Sequence, residues 1–173
     1  MKNVAVFGCG YWGKNLVRNF KELGALRLVC DISPAGRELA QQIAPGFETA
    51  DDFGVAMRRS DIDAVVLATP AVTHAPLAIE AMNLGKDVYV EKPMAMNVSE
   101  ASKMQEVAIS KGRILMVGHI LEYHPAVTKL RSMIKSGDLG QIHYIYSNRL
   151  NFGKIRIEEN ALWSFAPHDI AVI

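Results

Sequence analysis

Short apolar runs alternate with stretches of helical period along the first two thirds of the chain. Val4-Ala5-Val6-Phe7 is continuously apolar, as expected of a strand buried on both faces. Trp12, Leu16, Phe20 and Leu23 then recur every three or four residues and predict a helix over 11–23, ended by Gly24. Leu26 to Cys30 is a second apolar run. Ser33-Pro34 opens a helix to about Ile43, with proline in its first turn. Phe47-Glu48-Thr49 reads as a short third strand, and Asp51-Asp52 as the cap of a helix reaching Met57. The run Asp63 to Ala68 is the clearest strand. Thr73 is placed to cap a helix from about Ala75 to Leu84, stopped by Gly85, and Val88-Tyr89-Val90 follows as a strand. A helix from Ser99 to about Ser110 and a strand Ile114 to Val117 complete the series. Strand followed by helix, repeated, implies parallel strands joined by right-handed crossovers. Six strands suffice for a Rossmann-type doubly wound parallel sheet, an α/β fold, in the order 3-2-1-4-5-6.

The pattern changes after Gly118. Pro125 to Ser136 predicts an amphipathic helix with Val127, Leu130 and Ile134 on one face. Gly137-Asp138-Leu139-Gly140 reads as a turn. Residues 142–150 alternate apolar and polar positions, apart from Ile145, and predict a strand of a one-sided sheet. Pro167 to Ile173 reads as the first two turns of a helix. The expected division is a doubly wound α/β domain at 1–120 and the start of an α+β domain at 121–173. The chain is expected to be a piece of a longer protein, since a lone strand would leave an unpaired edge.

Composition narrows the classes of function. The chain has 173 residues, 50% hydrophobic and 21% charged, with a net charge of +1. That balance gives no electrostatic footprint for nucleic acid or an anionic membrane, and no apolar run is long enough to span a bilayer. The N-terminus enters a strand pattern at once without the layout of a signal peptide, which predicts a cytoplasmic protein. Cys9 and Cys30 end neighbouring predicted strands; buried small apolar residues or a redox pair are the two readings.

The candidate chemistry lies where strands end. Gly8, Gly10 and Gly13 have the spacing of a dinucleotide fingerprint, after a strand and before a helix. The amides from Gly10 through Tyr11 and Trp12 to Gly13 are expected to face a pyrophosphate with the helix dipole behind them. Asp31, at the end of the second strand, suits the adenosine ribose hydroxyls and repels a 2′-phosphate, which favours NAD over NADP. Arg37 lies nearby and weakens that preference. Asp31 as a cap of the next helix is the alternative. Thr69 and Pro70 follow the fourth strand, and their loop is expected to border the dinucleotide together with His74, read as a helix-start polar residue. Lys92 leaves the carboxyl end of the fifth strand between Glu91 and Pro93, and the proline keeps it out of the helical conformation. An undirected surface lysine is the alternative.

These motifs, Gly8-x-Gly10-x-x-Gly13, Asp31, Thr69-Pro70-x-x-x-His74 and Glu91-Lys92-Pro93, resemble the glucose–fructose oxidoreductase / inositol dehydrogenase family of NAD(P)-dependent sugar dehydrogenases. The resemblance extends through Gly118-His119, Tyr123-His124-Pro125 and the turn at 137–140. It implies a catalytic Lys92, a commonly cis bond before Pro93, and Glu91 and Pro93 beside the cofactor. It also implies a catalytic histidine at the start of a second-domain helix, matched by His168. Ser164 stands where the family often has aspartate, which leaves His168 as the main acid/base candidate. His168 merely paired with Asp169 is the alternative.

The stretch 148–156, with 158–160 and 162–169, is similar to the subgroup that oxidises UDP-linked N-acetyl hexuronic acids at C3. Arg149, Asn151, Lys154 and Arg156 supply the cationic and amide donors that a pyrophosphate and a carboxylate need, with Lys92 and His168 completing the substrate set. A solvated mixed-charge loop is the alternative. The resemblance further implies a homo-oligomer. Within the family, a free-sugar or inositol dehydrogenase is the competing reading; outside it, a non-catalytic dinucleotide-binding module.

Overall fold

The computed structural model describes residues 2–148, 150 and 160–173. The chain divides into two units, Met1–Gly118 and His119–Ile173.

In the first unit the strands are β1 (Val4–Phe7), β2 (Leu26–Cys30), β3 (Glu48–Ala50), β4 (Ala64–Leu67), β5 (Asp87–Val90) and β6 (Leu115–Val117). They form one parallel sheet in the order β3-β2-β1-β4-β5-β6, as the alternation predicts. The helices are α1 (Gly13–Glu22), α2 (Pro34–Ile43), α3 (Phe53–Met57), α4 (His74–Asn83) and α5 (Val98–Lys111). Side chains that alternate along β1 divide the core. Val4 and Val6 pack with Leu16 and Val17 of α1 and Ala40 of α2; Ala5 and Phe7 pack with Met57, Ala78, Met82 and Met104 under α3, α4 and α5.

That alternation settles the cysteines. Cys9 belongs to the α1 face and Cys30 to the opposite face, so the sheet lies between them and the redox pairing does not form. Burial, with Asp31 nearby, pushes the Cys9 thiol up to about 11. Burial, then Asp52, Asp31 and Asp51, pushes Cys30 up to about 12. Neither is a ready nucleophile.

Local chemistry sets the helix starts. Ser33 caps α2 through Gly36 N–H, Asp52 caps α3 through Val55 N–H, and Asn97 caps α5 through Glu100 N–H while Glu100 reaches back to Met96 N–H. Thr73 departs from expectation: it precedes α4, but its hydroxyl donates to the Pro70 carbonyl and meets the Thr69 hydroxyl instead of capping.

The amino edge of the sheet is held by charges. Arg59 grips Asp61 through two nitrogens, at 2.8 Å each, and also pairs with Glu48. Its hydrogen bonds hold the Asp61 carboxyl down at about 2. Lys2 pairs with Asp87, and the Lys86 ammonium donates to the carbonyls of Arg59 and Ile62.

The second unit contains α6 (Pro125–Ser136) and α7 (Ala161–Val172) after a short 3-10 turn at Ile120–Tyr123. His124 caps α6 through Ala126 N–H. Arg131 on α6 pairs with both carboxylate oxygens of Glu122 and donates to the Ala171 carbonyl of α7. Two expectations fail here. Residues 141–148 and 150 form no strand: Tyr144 and Tyr146 stand exposed, and no strand among the described residues of this unit pairs with them. And α7 starts at Ala161, capped by Asn160 through Trp163 N–H, so Pro167 lies inside it and His168 lies mid-helix.

Candidate functional site: the carboxyl edge of the sheet

Strand register builds the site. Phe7 pairs with Cys30 and with Leu67, Leu67 with Val90, and Val90 with Val117. The next residue on each strand is therefore Gly8, Asp31, Ala68, Glu91 or Gly118. The main-chain ladder continues through this row: Gly8 N–H donates to Cys30 O, Ala68 N–H to Phe7 O, Glu91 N–H to Leu67 O and Gly118 N–H to Val90 O, at 2.8–2.9 Å. Four sequence-predicted positions or their neighbours thus share one edge, which is where open α/β sheets receive ligands.

The three glycines of the β1–α1 turn have separable reasons. Gly8 has φ +90°, and a Cβ there would lie 2.7 Å from the Ala68 carbonyl oxygen. A Cβ on Gly13 would lie 2.0 Å from the Gly8 carbonyl oxygen. Both are required by the protein's own packing. Gly10 is not: a Cβ there meets nothing within 4 Å. Open space above the turn, at the start of α1, suits a pyrophosphate approaching backbone amides. The residues present fit a dinucleotide.

Asp31 sits beside that turn. Its Oδ2 accepts from Cys9 N–H at 2.7 Å; its Oδ1 accepts from Ser33 N–H at 2.8 Å and the Ser33 hydroxyl at 2.9 Å. Three of about four acceptor positions are used, leaving Oδ2 able to take a hydroxyl. Ser33, not Asp31, is the cap of α2. Gly36 makes room for the carboxylate, since a Cβ there would lie 2.3–2.6 Å from its atoms. Arg37 donates from one guanidinium nitrogen to the carbonyls of Asp31 and Ile32.

Lys92 is fixed from both sides. Before it, Glu91 is 7% exposed; its Oε1 accepts from Trp12 Nε1 at 2.8 Å and from the Tyr89 hydroxyl at 3.0 Å, and its Oε2 faces Lys92 N–H at 3.3 Å. After it, the Lys92–Pro93 bond is cis, and the Pro93 carbonyl lies 2.8 Å from Nδ1 of His74. The other ring nitrogen of His74 lies 2.9 Å from the Thr69 carbonyl. His74 is 1% exposed, so it ties the two loops together and presents no surface to a ligand. Sequence reasoning missed this role, and also missed the Trp12–Glu91 contact, whose partners lie 79 residues apart.

Tyr11 is exposed at the turn and Trp12 partly so. Thr69 and Pro70 form the loop after β4, as expected. His168 belongs to the second unit, where the neighbouring Asp169 accepts from the Ser147 hydroxyl at 2.8 Å. Arg149, Asn151, Lys154 and Arg156 lie outside the described residues. The described residues contain no cluster of side chains able to hold a metal ion and no helix long and apolar enough to cross a membrane.

Known proteins share this architecture. The chain is similar to 2,7-anhydro-N-acetylneuraminate hydratase of Mediterraneibacter gnavus, 32% identical over 86% of this chain and 40% of that protein. It is similar to inositol 2-dehydrogenase of Rhodococcus erythropolis, 34% identical over 84% of this chain and 44% of that protein. It therefore spans less than half the length of either. A solved structure from Klebsiella pneumoniae superposes with a TM-score of 0.82 at 29% identity, over 96% of this chain and 48% of that one. Scyllo-inositol dehydrogenase from Lactobacillus casei, solved with NAD(H) and scyllo-inositol, superposes with a TM-score of 0.75; at 22% identity, over 81% of this chain and 42% of that one, it speaks for the fold alone. The model of the oxidoreductase family with an NAD-binding Rossmann fold matches residues 2–119, and the chain belongs to that family.

Proposed function

We propose that the protein is an NAD-dependent dehydrogenase of a secondary hydroxyl on a sugar or cyclic polyol, with Lys92 and His168 as its catalytic residues. The observation that carries this reading is the fixed lysine loop, set on the same sheet edge as a turn whose Gly10 the protein's own packing does not require.

A nicotinamide held by these residues would supply the hydride acceptor for the carbinol carbon. The turn from Gly10 to Gly13 offers its amides to the pyrophosphate, and Asp31 accepts from the adenosine ribose. Lys92 donates a hydrogen bond to the hydroxyl oxygen and stabilises the negative charge that grows there. His168 accepts the hydroxyl proton as general base. His74 keeps the Thr69 and Pro93 carbonyls in place while this happens.

Asp31 gives the preference for NAD. A 2′-phosphate would meet its carboxylate, and an Arg37 nitrogen that would otherwise be offered to phosphate donates to main-chain carbonyls. Asp31→Ala is expected to weaken NAD⁺ binding roughly tenfold, about the worth of one charge-assisted hydrogen bond. NADP⁺ affinity is expected to stay level or improve. Calorimetric titration of both nucleotides reads the ratio; an unchanged ratio removes Asp31 from cofactor choice.

The substrate divides into two readings. The residues at 148–169 favour a UDP-linked N-acetyl hexuronic acid oxidised at C3, through Arg149, Asn151, Lys154 and Arg156. The inositol dehydrogenases among the relatives favour a free polyol. NADH formation followed at 340 nm over UDP-sugars, free sugars and inositols separates them. Substrate consumed without NADH accumulating would instead align the protein with the hydratase relatives.

A further inference from the structure

Glu91 is a carboxylate that the proposed reaction leaves unused, and its surroundings are specific. A buried carboxylate is costly unless donors meet it. Here the donors come from three places: the indole of Trp12 at the entry to α1, the hydroxyl of Tyr89 two residues back on β5, and the backbone of Lys92. Gly118 at the end of β6 closes the pocket, since a Cβ there would lie 2.5 Å from the Tyr89 hydroxyl oxygen and 2.9 Å from Glu91 Oε1.

Tyr89 and the Lys92 amide are local to the fifth strand and would suffice to hold a loop. The Trp12 bond is different in kind. It reaches across the sheet from the residue between Gly10 and Gly13, the segment offered to the pyrophosphate. Trp12 is 40% exposed, so its ring is not there to fill the core; its N–H is nonetheless fixed at 2.8 Å on a charged acceptor. A charge-assisted bond of this length is among the stronger a neutral donor makes.

We propose that the Trp12–Glu91 hydrogen bond is a positioning device that makes the glycine turn and the Lys92 loop one rigid body. A dinucleotide seated on the turn then orders the lysine, and an ordered lysine loop favours the turn that receives the dinucleotide, as reciprocity of coupled sites requires. Glu91 and Trp12 are positioning residues in this scheme. It rests on the reading that the turn binds the dinucleotide and that Lys92 is catalytic.

Three variants test it. Trp12→Phe keeps an aromatic ring and deletes the N–H. Glu91→Gln keeps an acceptor and deletes the charge, and Glu91→Ala deletes both. The indole ¹H–¹⁵N resonance of Trp12, assigned by its loss in Trp12→Phe, is expected at the downfield position of a carboxylate-bonded N–H, to move upfield in Glu91→Gln, and to shift on NAD⁺ titration. NAD⁺ affinity is expected to fall about fivefold in Trp12→Phe. Turnover is expected to fall about tenfold with little change in the KM of the sugar substrate, because the lysine is misplaced rather than the substrate pocket altered. Glu91→Gln is expected to recover part of what Glu91→Ala loses, and Trp12→Phe is expected to add nothing to Glu91→Ala.

Parent-like NAD⁺ affinity and turnover in a folded Trp12→Phe overturn the proposal, as do strictly additive losses in the double variant. The two levels fail separately. Should Lys92→Ala retain turnover, the catalytic reading falls, while the indole shift and the change in NAD⁺ affinity still report on the coupling.

Discussion

Lys92→Ala is expected to lower turnover by about two to four orders of magnitude, the usual loss for a positioned donor at a developing alkoxide. NAD⁺ affinity is expected to stay within about threefold of the parent, because the turn from Gly8 to Gly13 and the Asp31 carboxylate are built without the lysine side chain. The fold should hold as well: the loop is fixed by Glu91 and by the His74–Pro93 contact, neither of which uses the ammonium group. His168→Ala is expected to match that loss. Steady-state kinetics beside nucleotide titration measure both. Parent-like turnover in either variant would sink the catalytic assignment.

Alanine at Gly13 and alanine at Gly10 should fail in opposite ways. At Gly13 the added methyl would sit 2.0 Å from a backbone oxygen, with the Ala68 side chain 3.2 Å away. No rotamer relieves a clash with main chain, so the β1–α1 turn must move, at a cost of about 3 kcal/mol, the upper end for overpacking. Dinucleotide binding should vanish with it. At Gly10 the methyl meets nothing within 4 Å. Stability is then expected to remain within about 0.5 kcal/mol of the parent. Nucleotide affinity should still fall by about two orders of magnitude, since the methyl would stand where a pyrophosphate must approach the amides. Chemical denaturation together with NADH titration reads both quantities. If Gly10→Ala binds as well as the parent, the turn is a packing feature and not a phosphate cradle.

Much of this was legible in the chain because the signals were local. Five of the six strands are short, mainly apolar runs, β3 (Glu48–Ala50) being the exception, and crossovers carry their own starts or stops, such as Ser33-Pro34, Asp52 or Gly85. Local signals also placed Asp31 and Lys92 at strand ends, and register then brought those ends into one row. What was hidden depended on partners distant in sequence. Nothing near Trp12 announces Glu91, and nothing near His74 announces the Pro93 carbonyl. The alternation at 142–150 expresses a surface suited to a sheet, yet a strand exists only when another pairs with it, and none does among the described residues of that unit. Pro167 misled for a different reason. Proline is common in the first turn of a helix, but Asn160 had already supplied the cap seven residues earlier.

The row of residues one step past the strands is joined by amide-to-carbonyl bonds, and the side chains of Asp31 and Glu91 tie that row to the glycine turn. The clamps of salt-bridged arginine and lysine lie at the far rim, around Arg59, Lys86 and Asp87. The charged clamps thus stand apart from the candidate site, and an engineer can vary open positions such as Gly10 or Tyr11 at the carboxyl rim without disturbing the opposite one.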